Sequence, residues 1–385
     1  MINVTHITWG YPSDIVRHEA TYFSIQAEAL SRSGVARVEV ISPLTYVPRS
    51  VSWLVGRWSR RLRIPRSYRL NGVYVRRPRY LRLPTPASWQ ADLALLEITI
   101  RKSLKSQLPD VIHVHGGDSF GLAGLRAAKA LRIPSILTLH GSDVYVTPNK
   151  GLRHRAVFKE CMRLAEVCLA VSEDLATTAH RISGVNVQHL PIGVNLQVLR
   201  PSQDVEMAKS RFSIPKNRRV VLFLGNLLAT KGVEVLLKAM DLLSSSELAV
   251  FGGEGPLAEV IRNHPRSLWI GPVPYADVPM VLSIADVFVL PSFSEGLGLV
   301  LVEAGAMRVP VVGSDVGGIT SLLRERRGCL VPPRDSVALA QGIRFVLENS
   351  QWARECSDRF ADYIHKHHDS DKNVSELNKI YQGVV

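Results

Sequence analysis

Short β-branched apolar runs alternate along this chain with longer segments whose apolar residues recur at helical spacing, the pattern of βα units around a parallel sheet. The start, Met1 to Gly10, reads as a first buried strand. Further strands are predicted at Val38–Ile41, Val111–Val114, Ser135–Leu139 and Cys168–Val171, and helices at Ala20–Ser31, Phe120–Leu131 and Leu152–Glu166. After Leu190-Pro191-Ile192-Gly193-Val194-Asn195 a polar stretch runs to about Pro215, and the alternation then starts again. Its second round predicts strands at Val220–Leu224, Leu248–Phe251, Leu268–Ile270, Val287–Leu290, Val309–Gly313 and Cys329–Val331. Helices are expected at Val233–Leu243, Tyr275–Ala285 and Gly298–Met307. The expectation is an α/β protein of two doubly wound, Rossmann-like domains, residues 1–201 and 202–349, with the final helices of residues 350–385 packing back on the first. Two such units leave a cleft between them, where ligands of these folds sit. No repeat of roughly 20–50 residues is present, which argues against a solenoid.

Composition sharpens this picture. With 385 residues and 46% apolar content, the chain can bury two sizeable cores. Its start lacks the basic region and long apolar stretch of a signal peptide, and no apolar run reaches the roughly 18 residues of a membrane span. A cytoplasmic protein, peripheral on the inner face of the cell membrane, is expected. Cys161, Cys168, Cys329 and Cys356 have neither zinc-site nor redox-motif spacing, so they read as buried or indifferent thiols.

The net charge of +13 favours anionic partners and is unevenly placed. Between Glu39 and Asp92 no acidic residue occurs, yet eleven arginines do, Arg57, Arg60, Arg61 and Arg63 among them. Trp53, Trp58, Tyr68, Tyr74 and Tyr80 are interleaved with them, a mixture suited to a lipid headgroup layer. Arg57, Trp58, Arg60, Arg61 and Arg63 are therefore candidates for contact with an anionic membrane surface or acceptor. A solvated basic loop and a nucleic-acid groove are the competing readings. No recognisable nucleic-acid module accompanies the charge, and nucleic acid is not expected as a partner.

The segment most informative about chemistry is Pro291-Ser292-Phe293-Ser294-Glu295-Gly296-Leu297-Gly298-Leu299, which follows an apolar strand and opens a helix. Small residues there let backbone N–H groups approach an anion at the positive end of the helix. Glu295 and Glu303 are eight apart, so one lies in the loop and the other about two turns into the helix. A phosphate binder with two carboxylates accepting from hydroxyls suits a sugar nucleotide. Either glutamate alone would read as an ordinary solvated residue. The Asp369-Ser370-Asp371 stretch reads as a solvated loop, and no metal site is expected.

The run from Glu295 to Glu303, with Val309-Pro310-Val311-Val312-Gly313 and Gly317-Gly318, resembles the retaining family 4 glycosyltransferases of GT-B fold, whose Glu-x7-Glu motif it reproduces. The similarity covers almost the whole chain. It takes in Thr138-Leu139-His140-Gly141-Ser142-Asp143, Gly225-Asn226-Leu227 with Lys231-Gly232, and Gly252-Gly253-Glu254-Gly255-Pro256-Leu257. The resemblance implies donor-sugar contact by Glu295, ribose contact by Glu303, and diphosphate contact by Lys231 and the backbone of Gly296, Leu297, Gly298 and Leu299. It places His140 near the reacting centre and Asn226, Gly253 and Gly255 among the donor-binding residues. It also implies metal-independent transfer with retention, no cofactor, and a UDP-sugar as the favoured donor.

Several positions depart from the family pattern. Asn226 replaces a frequent arginine, Ser321 stands where a glutamate is common, Arg308 where glycine is usual, and Trp9-Gly10-Tyr11-Pro12-Ser13 lacks the common Gly-Gly. These bear on donor and acceptor details. Ile41-Ser42-Pro43, Tyr46-Val47-Pro48 and Arg77-Pro78-Arg79-Tyr80 are similar to bacterial surface-polysaccharide glycosyltransferases of the teichuronic-acid and exopolysaccharide type, which implies a lipid-linked saccharide acceptor. A non-catalytic basic binding protein and a GT-B-fold nucleotide-sugar epimerase are the alternatives. The first leaves His140, Lys231, Glu295 and Glu303 without a shared purpose.

Overall fold

The computed structural model describes residues 1–16, 20–46, 61, 63–82, 88–200 and 205–385. The chain forms two units, Met1–Gly193 with Ser370–Val385, and Val194–Asp369.

In the first unit the described strands are β1 (Ile2–Ile7), β2 (Ala36–Ile41), β3 (Leu44–Tyr46), β4 (Ser67–Leu70), β5 (Val73–Arg76), β6 (Arg79–Leu81), β7 (Val111–His115), β8 (Ser135–Leu139), β9 (Val167–Ala170) and β10 (Gln188–His189). One sheet has the order β10-β9-β8-β7-β1-β2-β5-β4, and β3 pairs with β6 apart from it. Pairing in the large sheet is parallel except between β4 and β5. There Asn71 and Gly72 turn the chain with φ of 47° and 85°, the positive pair that a two-residue type I′ hairpin requires. The middle strands β7 and β8 are buried along their whole length, so His113 and His115 in β7 and Ser135 and Thr138 in β8 are interior together with the apolar residues around them. Strands β4 to β6 are short, carry arginines and are half-exposed, so hydrophobic periodicity did not predict them.

The second unit holds β11 (Arg219–Leu224), β12 (Glu247–Gly252), β13 (Ser267–Gly271), β14 (Val287–Leu290), β15 (Val311–Ser314) and β16 (Cys329–Val331), all parallel, in the order β13-β12-β11-β14-β15-β16. The chain steps outward from β11 to β13, then returns to β14 on the other side. Strand order therefore reverses between β11 and β14, and the loops leaving their carboxyl ends diverge there to open a ligand crevice. In the first unit the same reversal falls between β1 and β7.

The composition-based boundary at 201/202 lies a few residues beyond the structural one at Gly193/Val194. Only the last helix, Ser370–Val384, returns to the first unit, burying Val374, Leu377 and Tyr381 in a core with Val4, Phe23 and Leu30. Helix Ser350–His367 stays in the second unit, which corrects the expectation that all of residues 350–385 cross back. Its buried stripe, Phe360 and Ile364, packs on Gly305, where a Cβ would lie 2.7 Å from the Phe360 ring. Helix Tyr275–Ala285 is split into a 3-10 turn, Tyr275–Asp277, and a helix, Val278–Ser283, which carries a proline in its first turn. Arg308 adopts φ 57°, the left-handed conformation that explains why glycine suits the position, and it pairs with Asp358.

Cys161, Cys168 and Cys356 are buried and all four cysteines are unpaired; burial pushes the Cys168 thiol up to about 12. Among the described residues no helix is long and apolar enough to cross a membrane.

Candidate active site

Two loops meet at the switch point of the second unit. The loop after β11 makes a 3-10 turn, Ala229–Lys231, closed by Gly232 at φ 72°, and the loop after β14 runs from Pro291 to Gly298. They are joined by a hydrogen bond from Phe293 N to Thr230 O at 2.9 Å. A Cβ on Gly232 would lie 2.0 Å from Pro291 O, so the two loops can touch only because this residue is glycine. Gly232→Ala is expected to lower stability by roughly 2–4 kcal/mol, combining left-handed strain with the clash. Urea unfolding would measure this, and an unchanged midpoint would refute the close approach.

The contact brings Lys231 Nζ to 2.5 Å from Glu295 Oε2, with side chains 26% and 15% exposed. Ser292 Oγ donates to the same carboxylate oxygen at 3.3 Å. Gly298, at φ 77°, then turns the chain into helix Leu299–Ala306. The backbone N–H groups of Gly296, Leu297, Gly298 and Leu299 meet no acceptor among the described residues, although Gly296, Leu297 and Gly298 are buried. Buried unpaired donors at the positive end of a helix make an anion cradle. Helix Gly317–Leu323 closes its other side: Gly318 N donates to Glu295 O at 3.0 Å, and a Cβ on Gly318 would sit 2.3 Å from Gly296 O.

Glu303, in the second turn of the same helix, is 6% exposed and makes no side-chain hydrogen bond among the described residues. Burial raises its carboxyl to about 8, so near neutrality it is largely protonated. Asn226 is exposed in the loop after β11. Gly253 and Gly255 permit that loop and the one after β12 to pack backbone to backbone, since a Cβ on either would come within 1.9 Å of Gly225 O or 2.4 Å of Leu227 O. The second unit thus gathers Lys231, Glu295 and the Gly296–Leu299 backbone at one helix terminus, with Glu303 buried further along the same helix.

His140 belongs to the first unit, immediately after β8. Asp143 fixes its backbone by accepting from the N–H groups of His140 at 3.1 Å, Gly141 at 2.7 Å and Gly117 at 3.2 Å. The spacing of the His-Gly-Ser-Asp run is therefore that of a loop-closing carboxylate. Behind His140 lie three histidines that hydrophobic patterning passed over. His113 and His115 alternate along β7 and so share a face, and His6 on β1 is the register partner of His113. His115 Nδ1 lies 3.0 Å from His140 Nε2, and His115 Nε2 lies 2.9 Å from His6 Nδ1. The available signal was the His-x-His alternation in a strand otherwise wholly apolar.

The descriptions of two families match this chain, glycosyl transferases group 1 over residues 204–367 and Glycosyltransferase Family 4 over residues 20–198. A Bacillus subtilis protein assigned to teichuronic acid biosynthesis, glycosyltransferase TuaC, is 32% identical over 100% of this chain and 99% of its own length. The chain belongs to glycosyltransferase family 4. Solved structures agree on the GT-B fold of this family 4 glycosyltransferase. Sucrose-phosphate synthase from Thermosynechococcus elongatus superposes with a TM-score of 0.80 at 19% identity, covering 100% of this chain and 99% of that one. Anabaena HepE in complex with UDP-glucose gives 0.76 at 18% identity over 98% and 99%.

In this family 4 glycosyltransferase the arginine-rich stretch is in part structural. Arg76 pairs with Glu39 and donates to Ser103 O at 2.6 Å, the fully buried Arg77 donates to Tyr11 O at 2.8 Å, and Arg79 donates to Ile64 O at 2.6 Å. Tyr68 Oη donates to Pro12 O at 2.6 Å. These side chains hold the β4–β6 region together and are not available as a charged layer. Arg57, Trp58 and Arg60 lie outside the described residues; Arg63 is exposed and Arg61 half-buried.

Proposed function

We propose that this glycosyltransferase moves a sugar from a nucleotide-diphosphate donor, with a UDP-sugar favoured, to a lipid-linked saccharide in building a cell-surface polysaccharide. The observation that carries the donor reading is the Lys231–Glu295 pair, at 2.5 Å, beside the unpaired N–H groups that open helix Leu299–Ala306. A diphosphate satisfies those donors and competes with Glu295 for Lys231. Glu295 is then released to accept hydrogen bonds from the sugar hydroxyls, and Glu303 accepts from the ribose. Lys231 and the helix terminus take up the charge that develops as the nucleotide leaves, which is work a metal ion does in other enzymes. His140 contacts the transferred sugar, and transfer proceeds with retention of configuration.

The complex of HepE with UDP-glucose favours uridine nucleotides, and the assignment of TuaC to teichuronic acid biosynthesis favours a polysaccharide product. Arg61 and Arg63, with Arg57, Trp58 and Arg60, would hold the enzyme at an anionic inner membrane face where a lipid-linked acceptor resides.

The test is a thermal-shift screen against UDP, GDP, ADP and their sugar conjugates. The cognate nucleotide at 100 times its Kd is expected to add about 2.7 kcal/mol, with the gain lost in Lys231→Ala. Stabilisation by none of the nucleotides would end the donor reading.

A further inference from the structure

The buried histidines form one unbranched chain of hydrogen bonds that runs from His140 through the sheet to the last helix. From His140 Nε2 it passes to His115 Nδ1 at 3.0 Å, and from His115 Nε2 to His6 Nδ1 at 2.9 Å. It continues from His6 Nε2 to Tyr381 Oη at 3.3 Å, from Tyr381 Oη to His113 Nδ1 at 2.7 Å, and from His113 Nε2 to Thr138 Oγ1 at 2.7 Å. His6, His113, His115, Thr138 and Tyr381 are each at most 2% exposed.

Each link holds one proton, and a neutral imidazole has one N–H and one bare nitrogen. Along His140, His115 and His6 all the donors must therefore point the same way. Burial keeps these rings neutral: it brings His6 and His140 down to about 3 and holds His113 and His115 well below the usual histidine value, helped by their mutual repulsion.

The direction is set at the far end. Thr138 Oγ1 has His113 as its one partner among the described residues. If the donors pointed away from His140, the hydroxyl proton of Thr138 would be buried with no acceptor among the described residues, which is unfavourable. Pointing towards His140, every proton in the chain is used. Thr138 O–H then donates to His113, His113 Nδ1–H to Tyr381, Tyr381 O–H to His6, His6 Nδ1–H to His115, and His115 Nδ1–H to His140 Nε2.

We propose that this array is a tautomer lock, in which His115, His6 and Tyr381 are positioning residues that commit His140 Nε2 as an acceptor and place its proton on Nδ1. His140 then meets the sugar as a neutral N–H donor with a fixed ring orientation, a use that rests on the role proposed for His140 above. The lock also ties that ring to the C-terminal helix, whose Tyr381 supplies the middle link.

The same three side chains, His6, His113 and His115, have nitrogens within 4.8 Å of one another, a spacing that could hold a metal ion. Hydrogen bonding accounts for both ring nitrogens of each, which favours the lock.

The experiment is long-range ¹H–¹⁵N correlation spectroscopy on the full-length protein with labelled histidine. It reads the protonation of each ring nitrogen without substrate, so it does not depend on the donor reading. The wild-type spectrum is expected to show His6, His113, His115 and His140 all protonated on Nδ1. In Tyr381→Phe the chain is cut between His113 and His6, so the direction set at Thr138 no longer reaches His140, and an Nε2–H population should appear on His140 and His115; an unchanged His140 pattern in this variant would remove Tyr381 from the lock. In His115→Leu the His140 lock is released, kcat falls on the order of tenfold to a hundredfold with little change in donor KM, and His115→Gln restores part of it. An Nε2–H signal from His140 or His115 in the wild type would overturn the proposal. So would stoichiometric metal in the purified protein whose removal by a chelator shifts these resonances. If His140→Ala retains full turnover while the tautomers are as expected, the lock stands and the sugar-contact role of His140 fails.

Discussion

Lys231→Ala is expected to lower kcat by about 10²–10³-fold, on the proposed reading that this lysine is the fixed cation for the departing diphosphate. The 3-10 turn and the contact of Gly232 with Pro291 hold Lys231 in place before any ligand arrives, so its charge requires no reorganisation during transfer. Removing it also leaves Glu295 with Ser292, at 3.3 Å, as its remaining side-chain partner. The effect on stability should be small, about 1 kcal/mol or less, because the pair is partly solvated. Steady-state kinetics beside a melting curve separate the two: a large loss of kcat with a nearly unchanged Tm supports the role. Since Lys231 and Glu295 are in direct contact, Lys231→Ala and Glu295→Gln should combine non-additively. A loss in kcat below tenfold would remove Lys231 from the chemistry.

Glu303→Gln should strengthen the fold and weaken the donor site at once. The native carboxyl, raised to about 8 by burial, binds its proton more tightly than the unfolded chain does at about 4.5. Its favourable contribution is therefore complete below pH 4.5 and is lost as pH rises through 8. Between pH 5 and pH 9 the wild type should lose on the order of 4 kcal/mol relative to the glutamine variant, which stays neutral throughout. Melting curves across that range should converge near pH 4.5, diverge progressively as pH rises towards 8 and run parallel above it, with the variant melting higher. On the proposed reading the same change replaces the carboxyl oxygens that accept from the ribose hydroxyls with an amide that has a single acceptor oxygen, raising donor KM roughly 10-fold. Parallel melting at all pH values would show that Glu303 is not held in an apolar setting.

What could be read in advance divides by the range of the physical cause. Buried parallel strands such as β11, β12 and β14 are apolar at nearly every position, so they stand out from sequence at once. The strand-loop-helix run through Glu295 is equally local, and so its glycines and both glutamates could be singled out as a phosphate-binding unit. The strands β4 to β6 could not, because they borrow their burial from neighbours distant in sequence: the buried Arg77 donates to Tyr11 O, 66 positions away. Nor could it be known whether helix Ser350–His367 stays with the second unit, since its apolar stripe fits a partner defined only once Gly305 and Phe360 meet. The unpaired carboxyl of Glu303 likewise depends on what surrounds it.

The amino-acid sequence by itself determined the α/β class, through local periodicity, and singled out Glu295 and Glu303 by their spacing across one loop and one helix, while the resemblance of several motifs pointed to the family and to Lys231. Only the tertiary structure decided the pairing of Lys231 with Glu295, the interior roles of the arginines and the histidine array. Those depend on strand order and register, which bring His6, His115, His140 and Tyr381 into one hydrogen-bonded chain from positions up to 375 residues apart.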